Sequence, residues 1–185
     1  QERISGIFFF FFFISQASQL LIEDVKEPNN SLTDDNAMLY EMIYKQTIRV
    51  NKIIEDVLKL SRQQRPNFAY IQPKTWLKDF IQENFIEHDI FLHCHTDKGF
   101  MFDSYQLAQI LVNLINNGLR YSSKAHPHAF VTIEVYEVAK SIHIDIIDTG
   151  QGVAKENIQY LFNPFFTTDH DGTGLGLYLS QAFCQ

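Results

Sequence analysis

The sequence predicts an α+β protein in two parts, a helical hairpin over residues 1–63 and an α/β sandwich over residues 64–185. Three observations predict it. Core positions between 39 and 60, all but Gln46 apolar, step alternately by four and three. Alternating strands follow between 130 and 147, behind an amphipathic helix. Two glycine clusters then sit where a strand ends and where a helix begins. The first observation is a helical seam, and the other two need a sheet covered by helices.

In chain order, residues 1–26 open with Ile7–Ile14 (IFFFFFFI), which has neither a helical nor a strand period. Exposed, such a run would be an aggregation hazard. Ile14–Val25 (ISQASQLLIEDV) returns to an amphipathic helical pattern. Glu27–Asp35 is a loop, because Pro28 blocks the first helix and Ser, Thr, Asn and Asp offer caps for the next. The second helix is expected from about Asp34 to Arg62. Its Leu39, Ile43, Gln46, Val50, Ile53, Val57 and Leu60 form a heptad seam. Packed antiparallel on the first helix and against a second copy, it gives a four-helix dimer. A seam packed on the chain's own second part is the alternative.

Arg62–Pro73 carries two prolines and a polar start, which places the boundary near Gln64, and Pro73 opens a helix over KTWLKDFIQENF. Ile90–His95 alternates as a strand. His93 and His95 share a face, but no third ligand has a fitting spacing, so no metal is expected there. Phe100–Phe102 is a short strand leading into the helix Asp103–Ser122, whose Leu107, Ile110, Leu111, Leu114 and Ile115 mark one buried face. Phe130–Tyr136 and Ser141–Ile147 form a hairpin around Glu137–Lys140. His126 and His128 flank Pro127 in a loop and carry no chemistry.

At 45% hydrophobic and 20% charged residues the chain can bury a core, and its net charge of −7 argues against a nucleic-acid partner. Cys94 and Cys184 lack metal spacing and read as reduced thiols. No stretch reaches the roughly 18 apolar residues needed to cross a membrane, and the opening run lacks the basic flank and cleavage site of a signal peptide.

The chemistry concentrates in Asp148–Leu177. Asp148 ends the strand SIHIDIID, where a carboxylate can accept a hydrogen bond from an amino group such as adenine's. DTGQG (Asp148–Gly152) and GTGLGL (Gly172–Leu177) let the backbone approach a ligand closely. The second runs into the helical LYLSQAF, whose first amides favour phosphate. Upstream, Asn113 and Asn117 lie four residues apart on one helix face, with Arg120 and Tyr121 just beyond. An Asn oxygen suits Mg²⁺, which shares hard oxygen ligands with phosphates. Either glycine cluster alone could be structural. Together, in this order, they point to a nucleotide site.

The Asn helix, DTGQG, NPFF (Asn163–Phe166) and GTGLGL resemble, in order, the N, G1, F and G2 boxes of sensor histidine kinases. The resemblance covers residues 33–185, and FFTT…GTGLGLYLS is most similar to the nitrogen-regulation and type IV pilus (PilS-like) kinases. It implies a Bergerat-type ATP-binding sandwich that takes ATP with Mg²⁺ under a mobile lid. Asn117 would reach Mg²⁺, Asn113 would assist the phosphates, Arg120 and Tyr121 would flank them, and Asp148 would hold the adenine amino group. Gly150, Gly152, Gly172, Gly174 and Gly176 would line lid and phosphate cradle, with Thr168, Thr173 and Leu175 in the same nucleotide-binding set. It also implies a homodimer through the hairpin, a response-regulator receiver domain as partner, and a cytoplasmic location, in a protein whose full length is membrane-anchored. Such domains usually continue with a further strand pair, so a C-terminally truncated fragment is expected.

Several residues depart from the pattern. The phosphorylated histidine of these kinases would fall near Ser5 and its following acid near Gly6. The first histidine of the chain is His88. Either the chain is a degenerate relative without its acceptor, or the Phe8–Phe13 run does not represent the natural sequence, which is the preferred reading. Gly118 replaces the usual alanine at a cost of about 1 kcal/mol to the helix. Asp169, His170 and Asp171 follow FFTT where many relatives carry lysine. Phe162, Phe165 and Phe166 are expected to pack the lid.

The leading function is an ATP-dependent protein-histidine kinase core. A water-activating ATPase is disfavoured, because Asn113 stands where those relatives place a glutamate base and an amide takes no proton. A nucleotide-binding scaffold or phosphatase-only relative is the alternative that the missing histidine favours.

Overall fold

A computed structural model describes residues 34–61, 66–169 and 172–184, together with Gln16 and Gln19. The predicted first helix as a whole, the Phe8–Phe13 run, the position of Ser5, and His170 and Asp171 lie outside the described residues. The chain divides into two compact units, Gln1–Gln63 with Phe165–Leu175, and Gln64–Pro164 with Gly176–Gln185.

The first unit contains helix α1, Asp34–Ser61. Its seam residues Leu39, Ile43 and Val57 are exposed in the single chain, as are Met38 and Met42. Its buried positions are polar ones that the seam did not include, Thr47 and Asp56. The Thr47 hydroxyl is satisfied by donating to the Ile43 carbonyl at 2.7 Å.

The second unit runs β1 (Phe68–Ile71), α2 (Pro73–Asn84), β2 (Asp89–Cys94), β3 (Phe100–Asp103), α3 (Ser104–Ala125), β4 (Phe130–Val138), β5 (Ser141–Asp148), α4 (Lys155–Ile158) and α5 (Gly176–Phe183). β1 and β3 pair antiparallel, while β2, β4 and β5 form a second sheet with β2–β4 parallel and β4–β5 antiparallel. β1 was not anticipated from the sequence. Only its Ile71 is buried, with Phe68 and Tyr70 exposed, so it shows no apolar alternation and depends on its distant partner β3.

Register places Ile90, Leu92 and Cys94 beside Val131, Ile133 and Val135, and these beside Ile144 and Ile146. That face carries the core with Leu77, Phe80, Leu107, Leu111, Ile115 and Leu119 from α2 and α3. Trp76 stacks on Phe80 at 5.3 Å between ring centroids. The opposite face is polar and aromatic: Tyr136 stacks on His143 and donates its hydroxyl to Asp145 at 2.7 Å. That acceptor, with burial second, raises the phenol above its ordinary range. The β4–β5 turn is Ala139–Lys140, with φ of 49° and 74° at the two residues, as a two-residue hairpin turn of the primed type requires.

Asp103, read as the first residue of the Asn helix, ends β3 and caps α3 instead. Its carboxylate accepts from the Gln106 N–H at 2.9 Å and from the Asn67 N–H at 2.7 Å. The Gln106 bond, opposed by burial and helped by the Asn67 bond, holds its pKa below the usual carboxylate range.

Candidate nucleotide site

The site in the second unit is built where α3 presses on the end of β5. Asp148, the last residue of β5, pairs with Val131 on the face of the sheet that α3 covers. Gly118 makes that approach possible. A Cβ there would lie 2.8 Å from Val131 Cγ2 and 3.2 Å from Asp148 Cβ, closer than packed carbons tolerate. The glycine read as a cost to the helix is therefore the contact that brings it to the carboxylate.

Two neighbours continue the contact. The Ser122 hydroxyl, fully buried, accepts from the Thr149 N–H at 3.0 Å. The backbone of Gly150 passes so close to Tyr121 that a Cβ would stand 3.0 Å from the tyrosine's own. Asp148 Oδ1 accepts from the Gly150 N–H at 2.7 Å, folding the DTG turn back on itself, and the Asp148 residue is exposed. The other oxygen remains suited to an exocyclic amino group. Gly152 has φ of 75° with nothing within 4 Å of a Cβ, so it is required by backbone conformation rather than by space.

Asn113 and Asn117 both lie on α3 and are half-buried. The Asn113 amide donates to the Gly176 carbonyl at 3.1 Å and to Ser180 Oγ at 3.3 Å, and Ser180 Oγ donates back to Gly176 O at 2.9 Å. Asn113 thus fastens the first turn of α5 to α3. Among the described residues, Asn117 makes no side-chain hydrogen bond, which leaves its oxygen for a hard cation and fits Mg²⁺. The Arg120 guanidinium carbon lies 5.2 Å, and Lys124 Nζ 5.3 Å, from the Tyr121 ring centroid, so two cations flank one aromatic ring. Arg120 also lines a shallow cleft with Glu87, His88 and Asp89.

The remaining predicted residues, Thr168, Gly172, Thr173, Gly174 and Leu175, belong to the first unit. Their loop is closed by its own backbone: Phe165 N–H donates to the Gly174 carbonyl at 3.0 Å, and Gly172 N–H to the Asp169 carbonyl at 3.2 Å. Thr167 Oγ1 accepts from the Asp169 N–H at 3.0 Å. Gly174 has φ of 70°, and a Cβ on it would run into the Phe165 backbone. Phe165 itself sits at φ of 66°, uncommon for a bulky residue. The expectation that Phe162 and Phe165 pack the lid is corrected. Both are exposed, Phe165 at 60%, and of the three phenylalanines only Phe166 is half-buried.

Sequence reasoning missed Ser122, Ser180 and Lys124. Small polar residues on a helix look like solvated ones until the partner strand is known. His93 and His95 lie 6.4 Å apart between ring centroids, with Glu134 3.5 Å from His93. Among the described residues no group of three or more His, Cys, Asp or Glu is placed to hold a metal. No helix among them is long and apolar enough to cross a membrane.

A strand-end carboxylate, a glycine turn and an asparagine helix define the class of protein. Residues 102–185 match the family described as Histidine kinase-, DNA gyrase B-, and HSP90-like ATPase. The chain is 38% identical over 181 residues to the Sensor protein kinase PilS of Pseudomonas aeruginosa, covering 93% of this chain and 33% of that protein. It is 29% identical over 151 residues to Sporulation kinase C of Bacillus subtilis, covering 77% of this chain and 34% of that protein. The chain therefore belongs among the sensor histidine kinases of two-component systems. It spans about a third of the length of these curated relatives. Among solved structures, full-length ShkA in complex with AMPPNP is similar at a TM-score of 0.64 and 19% identity, over 98% of this chain and 40% of that one. The Acinetobacter baumannii histidine kinase AdeS is similar at 0.59 and 24%, over 94% and 82%. At such identities the likeness is one of fold, and the fold is the ATP-binding α+β sandwich.

Proposed function

We propose that this chain is the core of an ATP-dependent protein-histidine kinase, which autophosphorylates and passes the phosphoryl group to an aspartate on a response-regulator receiver domain. The observation that supports this reading is the contact of α3 with the end of β5, where Gly118 approaches Asp148 and Tyr121 approaches Gly150. Asp148 accepts from the adenine amino group, and Gly150 and Gly152 keep the backbone out of its way. Asn117 offers its oxygen to Mg²⁺, and Arg120 and Tyr121 flank the phosphates. Asn113 orients the start of α5, whose first amides would receive phosphate. Bound Mg²⁺ would neutralise phosphate oxygens, so the protein's own work is positioning and charge.

The seam of α1 supports a homodimer. Leu39, Ile43 and Val57, exposed in one chain, would be covered by the preceding helix and a second copy, giving a four-helix bundle. The division into a hairpin over 1–63 and an ATP-binding domain over 64–185 is part of the same reading. So is a place on the cytoplasmic side of a membrane-anchored sensor.

The experiment is incubation with radiolabelled Mg–ATP, followed by acid and alkali treatment of the protein. Acid-labile, alkali-stable label is expected, and Asn117→Ala should abolish its Mg²⁺ dependence together with most of the label. Saturable ATP binding without label would instead support the second reading, a nucleotide-binding scaffold or phosphatase-only relative. One observation favours that reading: no histidine precedes His88. Tandem mass spectrometry of the peptide Ile4–Lys26 separates the two, since histidine found in place of the Ser5–Phe13 stretch would identify the acceptor.

A further inference from the structure

Ser180 lies one turn into α5 and is 5% exposed. The predicted nucleotide set does not include it. Its hydroxyl has one proton, and that proton goes to the Gly176 carbonyl at 2.9 Å. Toward Asn113 the same oxygen can therefore only accept, and it does so at 3.3 Å. The Gly176 carbonyl, which has no proton to give, accepts from the same amide at 3.1 Å. Both protons of the Asn113 side-chain nitrogen are thus used on α5. Turned over, the amide would set its own oxygen against two oxygens with no proton to spare. Nitrogen faces α5, and the oxygen is left over. A Cβ on Gly176 would stand 3.6 Å from that oxygen, an ordinary contact, so the missing side chain leaves the oxygen uncovered rather than relieving a clash.

We propose that Ser180 is a positioning residue of the nucleotide site: with Gly176 it holds the Asn113 amide so that this side chain offers an acceptor and no donor. The inference rests on the nucleotide reading above and uses residues of the second unit alone. An acceptor suits a hard cation or a water bound to one, whereas a bare phosphate oxygen needs a donor. Asn113 then serves ATP that carries Mg²⁺ and is indifferent to free ATP, so any help it gives the phosphates comes through the cation. A solvated asparagine turns its amide freely and presents either group. Ser180 removes that freedom before the ligand arrives, so the ordering is not charged to binding.

The test compares wild type with Ser180→Ala and Ser180→Thr. Alanine favours a helix, so the first variant should fold. Proton exchange of the Asn113 side-chain amide is followed by heteronuclear NMR without nucleotide. ATP binding is read by calorimetry in EDTA and over a series of Mg²⁺ concentrations. Ser180→Ala should speed the amide exchange and raise the Mg²⁺ concentration for half-maximal tightening of ATP about fivefold, the effect of losing one neutral hydrogen bond. ATP binding in EDTA should not change. Ser180→Thr keeps the hydroxyl and should return both readings to the wild-type values. Unchanged amide exchange in Ser180→Ala, or no return in Ser180→Thr, would overturn the proposal. So would an equal loss of ATP affinity with and without Mg²⁺, which would mean that Ser180 only packs α5. No saturable ATP binding by wild type would instead sink the nucleotide reading, while the amide exchange would still decide whether Ser180 orients Asn113.

Discussion

The end of β5 and the loop 165–175 carry the two glycine clusters, and the protein holds them by opposite means. Around Asp148 the glycines are fixed from outside. Gly118, Tyr121 and Ser122, three of five consecutive residues of α3, each touch or bond the DTG turn or its strand. Around Gly172–Gly176 the loop is fixed mostly from within, by backbone bonds between Phe165 and Gly174 and between Asp169 and Gly172. On the proposed function the first region presents one fixed carboxylate and gains from a preformed frame, while the second opens and closes over phosphates and gains from being a closed unit with few ties.

The largest expected effect breaks the framed side. Asp148→Ala removes the Gly150 turn bond and, on the proposed function, the acceptor for adenine, so ATP affinity measured by calorimetry should fall about a hundredfold. Next is Gly118→Val, which forces a side chain into Val131 and should cost about 2 kcal/mol in a urea-unfolding titration. Gly152→Ala sharpens the contrast. Nothing crowds that position, so only its positive φ resists and the loss should stay near 1 kcal/mol. If Gly152→Ala proved the worse of the two, contact with α3 would not be what organises this turn.

A comparable loss, about 1 kcal/mol, is expected for Asp103→Ala, which uncaps α3. It carries a pH signature. The folded carboxyl is held below its unfolded value of about 3.9, chiefly by the Gln106 N–H. The unfolded chain therefore takes up the proton first as pH falls. The contribution is complete above the unfolded pKa and disappears as pH drops through the lower folded one. Melting curves of wild type and variant should converge at the acid end.

How much of this was legible follows from what each element depends on. α3, the β4–β5 hairpin and α5 announce themselves by their periodicity, because each buries one face along its own length. β1 did not, since its pairing with β3 is non-local and only Ile71 is buried. The glycine boxes and the asparagine pair marked out the candidate site, but not that Asn113 would be bonded to Gly176 and Ser180. The role of Gly118 reversed for the same reason: a helix propensity is local, and a helix-to-sheet distance is not.

The Ala139–Lys140 turn acts as the phase setting of the ladder that ends at Asp148. Val138 faces Ser141 across it, and from there the ladder counts without interruption to Val131 opposite Asp148. Side chains on a strand have only two phases, inward and outward. Were the ladder to slip by one residue about this turn, every later position would change face, giving Ile147 the inward place and turning Asp148 toward the polar face. The packing of Ile144 and Ile146 on the core opposes that slip. A glycine inserted after Lys140 should therefore be absorbed as a three-residue turn and leave the carboxylate in its place.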